Sequence, residues 1–217
     1  MLSNSDIEAL EDGLMQLKNV MASGHHRINV VFNISFETLS ARHGRDDLTA
    51  VLRMVPPALR QRIYANLRDI PEGIPPSRLM ELYQYLTPFF RDVAVVMRHS
   101  KLQGSIKNTL SRLHAAGVRM VGIELPSIPT NLEIEWTKST LALAKQLGLI
   151  TKVINVTRWS DVLAFAEGGV QLISGPVLVT PSRKLLPPKR LTIAEVRNRV
   201  NEDTSMDDMA RIKSSVG

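Results

Sequence analysis

The sequence predicts an α/β fold made of parallel β/α units. Short β-branched runs alternate with helical patterns of roughly ten to fifteen residues, the pattern of strand–helix–strand crossovers. Several helical patterns stop at glycine, at Gly24, Gly117, Gly148 and Gly168-Gly169, a residue that tolerates the left-handed backbone of a helix C-terminus. About six strand-like runs can be counted, fewer than the eight of a complete barrel. Parallel units wind right-handed, and the pattern suits either a doubly wound sheet or a β/α barrel.

Each element follows from its local pattern. Ile7, Leu10, Leu14, Leu17 and Met21 recur at helical spacing behind Ser5-Asp6, which reads as a cap. Ile28 to Ser35 is a β-branched run bounded by His25-His26-Arg27 and by polar residues, which suits a buried parallel strand. Asp46-Asp47 reads as acid placed at a helix start, with helix from Leu48 to Leu59 interrupted at Pro56-Pro57. Arg62 to Ile70 is strand-like. Pro75 to Phe90 is an amphipathic helix with prolines at its start, where a missing amide is tolerated. Strands are then expected at Val93 to Met97, Val118 to Leu125, Ile150 to Val156 and Val170 to Ile173. The helices between them are Ile106 to Ala116, Leu132 to Leu147 and Trp159 to Glu167. After Pro181 the composition changes: Ser182 to Arg190 is basic and Pro-rich, Leu191 to Val200 is a short helix, and Asn201 to Gly217 is polar. The chain therefore divides into a β/α domain over 1–181 and a linker with a polar tail or docking element over 182–217.

With 217 residues and 44% hydrophobic content, the chain can bury one sizeable core. No apolar run approaches the roughly 20 residues of a membrane span, and Met1 to Asp6 lacks the features of a secretory signal, so a cytoplasmic protein is expected. The absence of cysteine excludes disulfides, thiolate nucleophiles and cysteine zinc sites. A net charge of +6 raises the question of phosphate partners. The arginines are dispersed, however, and the densest basic group, Arg183-Lys184 with Lys189-Arg190, lies in the Pro-rich segment, so nucleic-acid binding is not expected. His25, His26, His43, His99 and His114 show no metal-ligand spacing, and no phosphate loop, dinucleotide fingerprint or Gly-x-Ser-x-Gly elbow occurs.

The order and wording of the strands carry a resemblance. Asn33 in Val31-Phe32-Asn33-Ile34-Ser35, Asp69 in Asn66-Leu67-Arg68-Asp69, Val95 to Ser100, Gly122-Ile123-Glu124, Thr151 to Val156 and Ser174-Gly175-Pro176 follow one another at the spacing of a known set. They resemble, in order, the VNLS, E-hydrophobe-T-E, ALDDFG, KID, AEGVE and QGY segments of EAL-type cyclic-di-GMP phosphodiesterases. The likeness covers residues 7 to 181 and implies an incomplete or modified TIM-type barrel without the opening strands. Glu8-Ala9-Leu10 lies in a helical pattern and is not the family signature.

That resemblance implies a lost activity. The family hydrolyses its dinucleotide with divalent metals held by carboxylates, which lower the pKa of an attacking water. Asn33 stands at the family's metal-binding asparagine, but Asn66 replaces a glutamate, Met97 and Arg98 an aspartate pair, and Ile154 another glutamate. Hard cations need oxygen donors, so a two-metal site cannot be rebuilt and no cofactor is expected. Asn33, Asn66, Asp69, Arg98, His99 and Glu124 are expected near strand C-terminal ends, as a vestigial pocket that could draw an anion through Arg98. Cyclic-di-GMP is expected to bind no tighter than roughly millimolar. The helix holding Tyr83, Tyr85, Leu86, Phe89 and Phe90 is rich in aromatics, which makes Tyr85 and Phe89 candidate interface residues. The expected function is a catalytically inactive signalling or scaffolding module that pairs with a second copy or another signalling protein. The alternative is an α/β domain that binds a small anionic or nucleotide ligand, or an enzyme outside this family.

Overall fold

Each apolar run becomes a strand of one parallel sheet in the computed structural model, which describes residues 4–24, 28–71, 73–98, 105–179, 182 and 191–202. The order is α1 (Asn4–Ala22), β1 (Val30–Ser35), α2 (Phe36–Ser40), α3 (Arg42–Arg53), α4 (Pro57–Arg60), β2 (Ile63–Arg68), α5 (Pro76–Leu86), β3 (Asp92–Arg98), α6 (Ile106–Ala115), β4 (Met120–Glu124), α7 (Asn131–Gln146), β5 (Ile150–Ile154), α8 (Trp159–Glu167) and β6 (Leu172–Ile173). A further helix, α9, spans 193–202.

The strands lie in the order β1-β2-β3-β4-β5-β6, all parallel. This order decides between the two architectures the sequence left open. A doubly wound sheet reverses its strand order at a switch point; here each strand simply adds to the last, so right-handed crossovers stack every helix on one side. The result is a curled half-barrel.

Strand alternation separates two faces. Phe32, Ile34, Ile63, Ala65, Leu67, Val93, Val95, Val121, Ile123 and Val153 point to the helices and form the core with Leu10, Leu17, Leu52, Leu82, Leu110, Ala144 and Phe165. The concave face carries Asn33, Asn66, Arg68, Arg98, Glu124 and Lys152. Such paired β/α layering leaves polar groups on the barrel's inner side, where they must satisfy one another.

Local chemistry explains most boundaries. Gly117, Gly148 and Gly169 take positive φ just past the ends of α6, α7 and α8. Thr130 and Glu133 form a reciprocal capping box on α7. Two expectations need correction. Ser5-Asp6 is not the cap of the first helix, which begins at Asn4; Asp6 instead tethers α1 to β1, its Oδ2 accepting from the Ser35 amide at 2.8 Å and the Thr38 hydroxyl at 2.7 Å. Asp46 and Asp47 lie beyond the first turn of α3, whose start is Arg42. The short α2 escaped the periodicity because one turn holds too few apolar repeats; Ser35 caps it by accepting from the Thr38 amide at 3.2 Å.

After the Pro-rich segment, α9 docks back onto α8. Thr192 accepts from the Glu195 amide at 3.2 Å and its own amide donates to Glu195 Oε2 at 2.7 Å, a second capping box. Val196 is 5% exposed, a burial that contributes about 1.5–3 kcal/mol. The Arg199 guanidinium lies 4.7 Å from the Trp159 ring centroid, and Arg197 pairs with Glu167 at 2.8 Å. His25, His26, Arg183, Lys184, Lys189 and Arg190 lie outside the described residues.

Candidate functional site

Parallel strands bring their C-terminal ends to one rim, and the parity of β2, β3 and β4 turns Arg68, Arg98 and Glu124 toward the concave side there. Arg98 and Glu124 sit directly opposite in the β3–β4 register. Asp69 follows β2 with φ +57°, a left-handed conformation that swings its carboxylate over the rim. The four charges close on one another. Glu124 accepts from Arg68 Nη2 at 2.5 Å and from Arg98 Nε at 2.6 Å, while Arg98 Nη1 reaches Asp69 Oδ1 at 3.1 Å.

The electrostatics follow the contacts. Burial pushes the Glu124 carboxyl up, but hydrogen bonds from Arg98 and then Arg68 outweigh it and hold the group below the ordinary carboxylate range. The hydrogen bond to Glu124 keeps the Arg98 guanidinium charged beyond its ordinary range. Among the described residues the rim is thus a lattice of two arginines and two acids whose charges balance.

A second polar cluster lies deeper. Asn33 and Asn66 are opposite each other in the β1–β2 register, and Asn66 Nδ2 donates to Asn33 Oδ1 at 2.9 Å. Lys152 on β5 crosses the concave face so that its Nζ donates to Asn66 Oδ1 at 3.1 Å. Gly122, beside Lys152 in the register, leaves the space this side chain crosses; a Cβ there would meet Val96 Cγ2 at 3.3 Å. Lys152 is 6% exposed, and burial pulls its pKa down to about 8.

Of the residues singled out from sequence, Asp69, Arg98 and Glu124 meet at the rim, and Asn33 and Asn66 meet one layer below. His99 lies outside the described residues. Met97 faces the helices at 8% exposure and takes no part in the rim. Tyr85 and Phe89 are each half-buried against their own chain: the Tyr85 hydroxyl donates to the Arg45 carbonyl at 2.9 Å, and Arg60 lies 5.7 Å from the Phe89 centroid. Sequence reading missed Arg68 and Lys152. A signal for both existed: Arg68 shares the parity of Asn66, and Lys152 interrupts a β-branched run that should be buried on both faces.

Divalent-metal chemistry finds little to hold here. The Asn33 and Asn66 carbonyl oxygens already accept from Asn66 and Lys152, and Glu124 and Asp69 are bound to arginine. No three His, Cys, Asp or Glu side chains gather at a metal distance among the described residues. An ammonium and two guanidiniums occupy this face, and a divalent cation would have to displace them.

No family model matches the sequence, and no curated protein matches it. Solved structures do match. The PaMucR phosphodiesterase in its c-di-GMP complex gives a TM-score of 0.61 at 13% identity, over 80% of this chain and 69% of that one. The Bacillus subtilis YkuI protein, with an EAL domain and in complex with substrate c-di-GMP and calcium, gives 0.63 at 14%, over 98% of this chain and 53% of that one. The Xanthomonas citri FimX EAL domain in complex with c-diGMP gives 0.58 at 15%, over 84% and 72%. The chain spans about half the length of the YkuI protein. At these identities the likeness carries the fold alone, and that fold agrees with the strand order and register: the chain is an EAL-like, incomplete TIM-type β/α barrel.

Proposed function

We propose that this chain is a non-catalytic EAL-like module that works in signalling or scaffolding through protein contacts. The observation that carries this reading is the Lys152–Asn66–Asn33 chain beneath the Arg68–Glu124–Arg98–Asp69 lattice. Metal-assisted hydrolysis needs acidic oxygens free to bind cations and activate water. In this chain the acids neutralise arginines, and an ammonium stands over the one interior amide oxygen that faces it. The same lattice makes Arg98 a poor anchor for a dinucleotide phosphate, because two carboxylates already share its charge. Cyclic-di-GMP, which the PaMucR, YkuI and FimX structures contain, is therefore at most a weak ligand of this chain.

Incubation of the purified protein with cyclic-di-GMP and Mg²⁺ or Mn²⁺ tests the proposal, with no linear product above buffer expected. Metal-dependent turnover abolished by Asn33→Ala would overturn it. Calorimetric titration with the dinucleotide should give no saturation below roughly millimolar. Saturable micromolar binding would instead favour a receptor of the dinucleotide.

A further inference from the structure

Between the C-terminal halves of β2 and β3 and the helices α5 and α6 lies a cavity of about 320 Å³. Its body is apolar: Leu79, Val95, Met97 and Leu113 form the floor, with Ile70 and Ile74 beside them. Leu79, Val95, Met97 and Leu113 belong to the helix-facing core, while Val96, Arg98 and Glu124 reach the cavity from the concave side, so it runs from the α5–α6 side of the sheet up to the barrel mouth. Its volume stands at the lower end of the about 300–1,000 Å³ typical of small-molecule pockets, room for a short chain or single ring and too little for a dinucleotide.

The charge at its rim is unbalanced. Among the described residues, Arg68, Arg98 and Arg112 line the cavity with Asp69 and Glu124, so three guanidiniums face two carboxylates and one positive charge is left. That charge belongs to Arg112, exposed on α6 and without an ion pair among the described residues. Arg112 follows Thr109 by three residues on α6, and both line the cavity beside Leu113, so one helix face offers an apolar wall, a hydroxyl and a cation together. A guanidinium fork matches a carboxylate in bidentate geometry. A doubly charged head would meet Asp69 and Glu124 with one net positive charge to offset it, so a monoanion fits better.

We infer that this lateral cavity binds an amphipathic monocarboxylate, its short apolar body among Leu79, Val95, Met97 and Leu113 and its carboxylate on Arg112. The inference does not rest on the absence of hydrolysis: the cavity would bind such a ligand whether or not the barrel mouth turned over a dinucleotide. Its position gives the binding a consequence, since it shares Arg68, Arg98 and Glu124 with the rim lattice, and a ligand there would couple the α5–α6 cleft to the charges at the barrel mouth.

Calorimetric titration of the full chain with sodium octanoate tests this, with octylammonium as the cationic control of equal length and acetate as the headgroup without a tail. Octanoate should bind saturably with one site per chain, and neither control should match it. Arg112→Gln, an exposed substitution, should weaken octanoate by about tenfold. Thr109→Phe, which fills the cavity from the helix, should abolish the one-site binding, with circular dichroism showing both variants folded. Absence of saturation, equal binding of octylammonium, or unchanged affinity in both variants would overturn the assignment. The dinucleotide hydrolysis assay reads the barrel mouth separately, so failure of either reading leaves the other to stand or fall by itself.

Discussion

Lys152 sets burial against charge, and the conflict is measurable. Its folded-state pKa of about 8 lies below the ordinary lysine value near 10.4, so the native state releases this proton first. Between about pH 8 and pH 10 the unfolded chain holds the extra proton, and this residue makes stability rise with pH across that window. At neutral pH its buried charge opposes folding by about 3 kcal/mol at most, reduced by the bond to Asn66. Lys152→Met should therefore be more stable than the parent by about 1–2 kcal/mol at pH 7, and urea titrations should show the gap closing by pH 10. A constant gap would mean that Lys152 is not buried as described. Glu124 predicts the opposite sign. Its depressed carboxyl supports the fold above the ordinary carboxylate range, and that support is lost as pH falls through the folded value. Glu124→Gln leaves Arg68 and Arg98 facing each other and should cost about 1–3 kcal/mol at pH 7, with parent and variant converging in acid. Strand wording in the sequence picked out Asn33, Asn66, Asp69, Arg98 and Glu124, because each stands at a fixed place in the order of strands. For Arg68 and Lys152 the sequence carried a hint of position, but their partners emerged only with the register, since these lie 56 and 86 residues away.

At the level of elements, periodicity and punctuation carried most of the information. The strands and the helices α5 to α8 coincide with their sequence patterns to within a few residues at each end, because glycine at the C-terminus and proline at the N-terminus act locally. What failed was local too: α2 is one turn long, and Asp6 is satisfied by β1 and α2 through contacts no helix pattern encodes. The β6 edge is held by close approach more than by length. It has two residues, then continues as Ser174 donates to Val153 O at 3.0 Å and accepts from the Val156 amide at 3.0 Å. A Cβ on Gly175 would overlap the Val156 backbone nitrogen and carbonyl oxygen, which cannot rotate away as a side chain would. Gly175→Ala should cost about 1–3 kcal/mol by urea denaturation. Gly148→Ala, with open space around it and φ +75°, should cost about 1 kcal/mol from backbone strain alone. Equal costs at the two sites would remove the close-approach argument.

For the whole molecule, a half-barrel leaves an edge. β1 pairs with β2 on one side, and among the described residues no strand lies on the other. The Val30 amide donates to Arg62 O at 2.9 Å, so alternation aims the amides of Val31 and Asn33 away from β2. Asp6 satisfies the next outward amide, that of Ser35. Val31 is 44% exposed on this edge. An unpaired strand of this kind invites another chain unless something covers it, and the simplest cover is a second copy related by a two-fold axis. Light scattering should show dimers at micromolar concentration. Val31→Lys, which places charge on the edge, should shift them to monomers. Phe89→Asp tests the alternative surface around Tyr85, whose hydroxyl and ring already pack on its own chain. Loss of the dimer in the first variant alone places the contact at β1, and loss in the second alone places it on α5 and the turn after it. A parent protein that stays monomeric at high concentration would end the self-association reading and leave a partner of another kind to cover the edge.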